Sequence, residues 1–189
     1  MANTNPKAPR KALVLAGGGA RGSYQVGVWR ALTELGWKPD LITGTSVGSL
    51  NGAMFALDLY ETARDMWLSI RSQDVMELPE QDADLSELHR FLREVVRQGG
   101  MDVTPLEEIV ERVLDEDAPR ASPIDFGLVT VEQRGLRPRE LPLKDIPRGK
   151  VKDYLLASAA CFPALRAHSI DGVNYLDGGY RDNMPTALA

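Results

Sequence analysis

The chain has 189 residues, a formal net charge of −5 at pH 7, 43% hydrophobic and 26% charged residues. These values are typical of one globular domain over residues 1–189 and exclude a disordered chain. The acidic balance disfavours broad nucleic-acid binding, so we expect no nucleic-acid partner. One cysteine, Cys161, excludes an internal disulfide framework, and we expect it to be buried. Two histidines leave few ligands for zinc, so neither a metal nor a cofactor is expected.

The N-terminal segment lacks the apolar length that export or membrane insertion requires. We expect residues 1–11 to be disordered. The apolar run that follows, 12–16, has five residues, whereas a signal peptide needs about 7–15. No stretch reaches the roughly 18 apolar residues of a membrane span. We therefore expect no signal peptide, no transmembrane segment and a cytoplasmic location.

Short strands and helices alternate along the chain. Hydrophobic periodicity and glycine positions predict strands and helices in this order: strand 12–16, helix 22–35, strand 41–43, helix 47–57, helix 60–70, strands 126–131 and 137–143, helix 151–160 and strand 173–176. Strands 126–131 and 137–143 can pair as a hairpin around Gly135. This order predicts an α/β fold in which helices cover a largely parallel sheet.

A helical insertion is predicted over residues 74–118. The segment contains fourteen acidic residues and four arginines, and an amphipathic helix fits 85–98. A second helix is predicted to begin with Thr104 as its N-cap and Glu107 closing a capping box. The acidity is typical of solvated helix faces. We expect the insertion to shape access to a site and not to supply reacting groups.

The first candidate site is a glycine-rich loop between a predicted strand and a predicted helix. Gly17–Gly22 reads GGGARG, which matches the dinucleotide-binding fingerprint by letter. The dinucleotide-binding fold requires an acidic residue at the carboxyl end of the next strand, whereas Asp40 precedes the predicted strand 41–43. Residues without side chains at a helix N-terminus expose main-chain N–H groups where the helix dipole favours negative charge. The loop can therefore hold a phosphate or the oxyanion of an acyl transfer.

The second candidate site is a G-x-S-x-G turn. Gly44-Thr45-Ser46-Val47-Gly48 comes directly after a predicted strand and opens a predicted helix. In this context the sharp turn exposes the Ser46 hydroxyl, and Gly44 and Gly48 let the strand and the helix approach closely. The turn favours acyl transfer over phosphate binding at the glycine-rich loop.

Together with Asp177-Gly178-Gly179, these motifs resemble those of the patatin-like phospholipases, a family of Ser–Asp acyl hydrolases. The three motifs occur in the family's order and bracket nearly the whole chain. The resemblance implies a three-layer α/β/α fold with a mainly parallel central sheet. The chain ends ten residues after Gly179, where the family core usually continues with another helix and strand. A C-terminal part of that core is therefore expected to be missing.

The resemblance also implies roles for particular residues. Ser46 would be the nucleophile and Asp177 its partner, and lipid acyl esters would be the substrates. The oxyanion hole would consist of the main-chain amides of Gly17, Gly18 and Gly19. Further motif residues would support the reacting groups: Arg21 and Gly22 in the loop, Gly44 and Gly48 in the elbow, and Gly178 and Gly179 after the aspartate.

We expect Asp177 to be the base, in a Ser–Asp dyad without histidine. In α/β hydrolases with a Ser–His–Asp triad the histidine follows the acid, and no histidine follows Asp177. His168 precedes it and is the rival base, whereas His89 lies in a predicted helix. An ordinary aspartate, with a pKa of about 3.9, is a weak base toward a hydroxyl, so a dyad requires a desolvated carboxylate.

Two functions stay open, the acyl hydrolase and a binding module without catalytic activity. A catalytically silent lipid- or nucleotide-binding module could use the glycine-rich loop as an anion site. For the acyl hydrolase, the segment 134–152, with seven Lys or Arg against two acidic residues, is the candidate for peripheral contact with anionic membranes.

Overall fold

The computed structural model describes residues 10–71, 74–75, 90, 93–95 and 97–189. In this part the strands are β1 (Ala12–Leu15), β2 (Leu41–Thr45), β3 (Asp125–Glu132), β4 (Arg137–Pro142), β5 (His168–Ile170) and β6 (Val173–Asp177). The main helices are α1 (Gly22–Glu34), α2 (Val47–Ala56), α3 (Tyr60–Ser69), α4 (Thr104–Val113), α5 (Ala118–Ala121) and α6 (Val151–Ser158). Residues 1–9 of the predicted disordered segment, and most of the predicted helix 85–98, lie outside the described residues.

The α/β fold is confirmed, and its sheet is mixed rather than mainly parallel. Strand β2 pairs in parallel with β1 and β3, whereas β4 and β6 pair antiparallel with β3, and β5 with β6. Short connections explain two of the three antiparallel pairs. Turns at Gly135 and at Asp171-Gly172 join β3 to β4 and β5 to β6, with φ of 83°, 49° and 80°. Turns this short cannot hold the crossover that a parallel pair requires, so these strands form hairpins.

Strands β2 and β6 lie end to end along one edge of β3. Strand β4 occupies the other edge, where it pairs with residues 127–132. On the shared edge Thr45 pairs with Val129, and Asp177 pairs with Thr130. Because β2 is parallel to β3 and β6 is antiparallel to it, the carboxyl ends of β2 and β6 meet. The residue after Thr45 and the last residue of β6 are thereby brought together.

The main hydrophobic core lies between the helices and one face of the sheet. Ile42, Phe126 and Leu128 on that face pack in one cluster with Phe55 of α2 and Leu155 of α6. Burial of this apolar surface is the main stabilising contribution to the fold.

Side chains alternate along a strand, so Thr43 and Thr45 point away from this core. Both threonines are fully buried, and their hydroxyls donate to the carbonyl oxygens of Pro185 and Asp182, at 3.1 and 2.9 Å. The C-terminal segment therefore covers this part of the opposite face.

Helix α4 begins at Thr104, but the predicted capping box does not form. Val103 is the N-cap, and no side chain caps the helix. The Thr104 hydroxyl and N–H both donate to Asp102 Oδ1, at 2.9 and 3.0 Å. These hydrogen bonds lower the pKa of Asp102. The Asp102 carboxylate, which precedes the helix, engages the Thr104 hydroxyl, so this hydroxyl does not form the capping box.

Candidate active site

Ser46 lies in a strained turn between β2 and α2. Its backbone has φ 56° and ψ −131°, a region that residues with a side chain rarely adopt. A Cβ on Gly44 would lie 2.3 Å from Gly48 O, and one on Gly48 would lie 2.3 Å from Leu15 O. Strand and helix therefore touch through main-chain atoms, as the motif predicts, and no larger residue fits at either glycine.

Ser158, at the end of α6, holds the main chain of this elbow. The Ser46 N–H donates to Ser158 Oγ at 2.9 Å, and the Ser158 hydroxyl donates to Val129 O at 2.7 Å. Ser158 is fully buried. Sequence reasoning missed this residue, and its only signal was a hydroxyl within a run of small residues.

Asp177 ends β6 and faces the Ser46 hydroxyl. Only 5% of the residue is exposed, and its Oδ1 accepts the Gly179 N–H at 2.7 Å. Burial raises the pKa of Asp177, while the neighbouring Ser46 hydroxyl and the hydrogen bond from the Gly179 N–H act in the opposite direction. A Cβ on Gly178 would lie 2.3 Å from Val129 O, so the turn after Asp177 packs tightly on β3. The structure thus brings the predicted nucleophile and the predicted acid together.

The glycine-rich loop lies beside Ser46. A Cβ on Gly17 would be 3.0 Å from Ser46 Cβ. The Gly17 N–H donates to Asn183 O at 3.2 Å, and Asn183 Nδ2 donates back to Gly17 O at 3.4 Å. Within the described part of the chain, no hydrogen bond uses the N–H of Gly18 or Gly19. Two of the three predicted oxyanion donors, the N–H groups of Gly18 and Gly19, are therefore open. Sequence reasoning missed Asn183, which holds the loop through its hydrogen bonds with Gly17.

The other two loop residues differ in their surroundings. Gly22 is buried, and a Cβ there would lie 2.4 Å from Val47 Cγ2 and 2.7 Å from Trp67 Cζ2. Arg21 is exposed at the edge of the cavity that contains Ser46. Gly22 therefore permits close packing of α1 against α2 and α3, whereas Arg21 faces solvent.

A cavity of about 1050 Å³ opens at Ser46 and Asp177. Its remaining wall consists mainly of apolar side chains from α2, α3, α4 and the segment after α6, including Leu50, Met54, Met66, Trp67, Leu106, Ile109, Val110, Val113 and Leu165. The volume is that of a site for a sizeable organic ligand. Helix α4, in the predicted insertion, supplies one side of the wall.

His168 lies away from this cavity. Its ring nitrogens are 3.4 Å from Asp153 Oδ1 and 3.8 Å from Glu107 Oε1, and it is absent from the cavity wall. His89 lies outside the described residues. Cys161 is exposed and lines the cavity, so the expectation that it is buried is wrong.

The described residues contain neither a cluster of metal ligands nor a membrane-spanning helix. Among the residues that the structure describes, no three His, Cys, Asp or Glu side chains gather as metal ligands. None of the described helices combines the length and the apolar character that crossing a membrane requires.

The sequence resembles curated proteins over a short stretch. Patatin-like phospholipase domain-containing protein 7 of Rattus norvegicus is 62% identical over 45 residues, which is 24% of this chain and 3% of that protein. Lysophospholipase nte1 of Aspergillus terreus is 61% identical over 46 residues, again 24% of this chain and 3% of that protein. The Caenorhabditis elegans protein ZK370.4, also named as a patatin-like phospholipase domain-containing protein, is 50% identical over 60 residues, 32% and 4% of the two chains. The matched stretch is thus a few per cent of each relative.

The fold and the whole sequence give broader matches. The crystal structure of VipD from Legionella pneumophila superposes with a TM-score of 0.64 at 14% identity, over 93% of this chain and 47% of that chain. At this identity the match shows the α/β fold alone. The family model described as patatin-like phospholipase matches residues 13–189. With that match over nearly its whole length, this chain belongs to the patatin-like phospholipase family.

Proposed function

We propose that this domain hydrolyses acyl esters of phospholipids or lysophospholipids through an acyl-enzyme on Ser46. The observation that carries the proposal is the strained elbow, which presents the Ser46 hydroxyl to a buried Asp177 at the end of an apolar cavity. Two of the similar proteins are named as a lysophospholipase and a phospholipase-domain protein, which supports the same substrate class.

In the proposed reaction Asp177 accepts the proton of Ser46 as Oγ attacks the ester carbonyl carbon. The raised pKa of Asp177 makes it a stronger base than an exposed aspartate. The tetrahedral oxyanion accepts hydrogen bonds from the N–H groups of Gly18 and Gly19. Its collapse breaks the ester C–O bond, and Asp177 returns the proton to the leaving alcohol. Water, deprotonated by the same carboxylate, then releases the fatty acid and restores Ser46.

The cavity supports a lipid as the substrate. Its apolar wall removes a long acyl chain from water, which contributes about 0.8 kcal/mol per buried methylene. The competing function is a silent binding module that uses the glycine-rich loop for an anion. The open N–H groups of Gly18 and Gly19 suit either function, whereas the strained Ser46 facing Asp177 serves only the hydrolase.

Labelling with a lipid-like fluorophosphonate, followed by intact-mass analysis, distinguishes the hydrolase from the binding module. We expect one adduct on the peptide that contains Ser46, and none in Ser46→Ala. The matched control is Ser23→Ala, which removes a hydroxyl from the same cavity and should label normally. An unlabelled wild-type protein that still binds lipid would support the binding module. A panel of phospholipid and lysophospholipid classes then identifies the preferred ester.

We propose peripheral contact with anionic lipid through Arg134 and Arg137 of the segment 134–152. Four of the five cations farther along this segment have acidic neighbours: Arg139 with Glu132, Arg148 with Asp117, Lys150 with Asp153 and Asp171, and Lys152 with Glu111. Reversing the charge of Arg134 and Arg137 should reduce sedimentation with anionic vesicles at low salt. Arg148→Glu is the matched control, and equal sedimentation of all the variants would contradict this contact.

A further inference from the structure

A buried polar network joins three helices at the wall of the cavity. Asn51 of α2 is fully buried. Its Nδ2 donates to Gly22 O at 2.9 Å and to Gln25 Oε1 at 2.8 Å, both on α1. Its Oδ1 accepts the indole N–H of Trp67 on α3 at 3.0 Å. Both N–H groups and the oxygen of the Asn51 amide are therefore engaged, which is how a buried amide avoids a desolvation penalty.

The network continues to the glycine-rich loop. Gln25 Nε2 donates to Ala16 O at 2.7 Å, and Ala16 immediately precedes Gly17. The indole can only donate, so Asn51 must present its oxygen to Trp67 and its nitrogen to Gln25. Gln25 must then turn its own oxygen to Asn51 and its nitrogen to Ala16. The indole N–H of Trp67, which can only donate, thus determines the orientation of the side-chain amides of Asn51 and Gln25.

We propose that Asn51 is a positioning residue for the acyl-transfer reaction and acts through Gln25 on the main chain that enters the Gly17–Gly19 loop. This inference rests on the proposed function, in which the loop supplies the oxyanion donors. Such donors must be held near the developing oxyanion, because a misplacement of about 1 Å costs roughly 10²-fold in rate. Asn51 itself touches neither Ser46 nor Asp177 through any described hydrogen bond, so its effect passes through the loop.

The chain contains a matched control for this pair. Asn174 and Gln133 also form an amide–amide hydrogen bond, at 3.2 Å, but both side chains lie on exposed hairpins away from the Ser46 cavity. The test compares Asn51→Asp and Gln25→Ala with Asn174→Asp and Gln133→Ala. Asn51→Asp keeps the shape of the side chain and places oxygen opposite the acceptors Gly22 O and Gln25 Oε1. Gln25→Ala removes the contact with Ala16 from a partly exposed position and guards against a misfolded Asn51 variant.

We expect kcat for a lysophospholipid to fall about tenfold or more in Asn51→Asp and in Gln25→Ala, with KM within about threefold of wild type. The double variant Asn51→Asp/Gln25→Ala should be no slower than the slower single variant, because the two residues act in series. Hydrogen exchange supplies a readout that needs no activity. The amides of Gly17 and Arg21, which donate to Asn183 O and Gly18 O, should exchange faster in both test variants and at the wild-type rate in both controls.

The outcomes separate this inference from the proposed function. Unchanged kcat and unchanged loop exchange in folded Asn51→Asp and Gln25→Ala, with an active wild-type enzyme, would overturn the inference alone. Additive losses in the double variant would also overturn it, since Asn51 would then act by another route. If wild type neither hydrolyses lipid nor labels at Ser46, the proposed function fails, and the catalytic role of Asn51 fails with it.

Discussion

The main-chain N–H of Ser46 donates a hydrogen bond to the hydroxyl of Ser158, 112 residues later in the chain. The Ser158 hydroxyl in turn donates a hydrogen bond to Val129 O of the central strand at 2.7 Å. The strained backbone of the elbow is thereby tied to the sheet, which explains how a positive φ persists at a residue with a side chain.

Ser158→Ala should weaken both the fold and the reaction. The substitution leaves the Ser46 N–H and the Val129 carbonyl without their buried partner, so the free energy of unfolding should fall by about 1–3 kcal/mol. The rate of phosphonate labelling at Ser46 should fall as well, because the elbow loses its tether. Chemical denaturation and labelling kinetics measure the two effects. Ser169→Ala, on an exposed position of β5, is the control, and equal behaviour of the two variants would contradict the tether.

Asp177→Asn should abolish activity without destabilising the fold at neutral pH. Burial raises the pKa of Asp177. Stability from this group is therefore present below the pKa of the unfolded chain, about 3.9, and is lost as pH rises through the folded pKa. Asparagine does not ionise and can still accept the Gly179 N–H, so this loss is absent in the variant. Its thermal midpoint at pH 7 should equal or exceed that of wild type, while kcat falls by about 10²–10⁴.

The pH profile supplies the second test of Asp177. Activity requires the ionised carboxylate, so kcat/KM should fall on the acid side with a midpoint above the ordinary aspartate pKa of about 3.9. A midpoint below that value, or an Asp177→Asn variant that retains wild-type kcat, would remove Asp177 from the role of base.

Gly44→Ala should be strongly destabilising, whereas Gly27→Ala should be tolerated. A Cβ at Gly44 would lie 2.3 Å from Gly48 O, which is main chain and cannot rotate away. The elbow must open, at a cost of about 1–3 kcal/mol or more. At Gly27, within α1, a Cβ meets nothing within 4 Å, and alanine should add about 0.5–1 kcal/mol of stability. Thermal unfolding of the two variants against wild type measures this difference, and a stable, fully active Gly44→Ala would contradict the close approach.

His168→Ala should retain activity within about tenfold, a change in barrier of about 1.4 kcal/mol or less. The ring lies between Asp153 and Glu107 and does not line the cavity. Steady-state hydrolysis by a variant with a normal circular dichroism spectrum is the measurement. A folded His168→Ala as inactive as Ser46→Ala would restore histidine as the base.

Local patterns in the sequence were sufficient for the elbow and the loop. Gly44, Ser46 and Gly48 lie within one short segment, so a strand, two glycines and a helix in succession predict the turn. The same reasoning rejected the dinucleotide site, because Asp40 precedes β2, where its carboxylate accepts the Lys11 N–H at 2.7 Å. The family motifs then added Asp177, but only as a resemblance.

Tertiary structure alone decided what surrounds Ser46. The meeting of β2 and β6 on β3 depends on strand registers, which no local pattern encodes because the paired residues are far apart in the chain. Ser158 and Asn183 reach the elbow and the loop for the same reason, and Asn183 O occupies the N–H of Gly17. The hairpin at Gly135 could be predicted from the sequence, whereas the antiparallel pairing of β6 with β3 depends on the tertiary structure. The sequence by itself determined the shape of the turn at Ser46, while the long-range packing of strands and of the C-terminal segment determined which groups surround it.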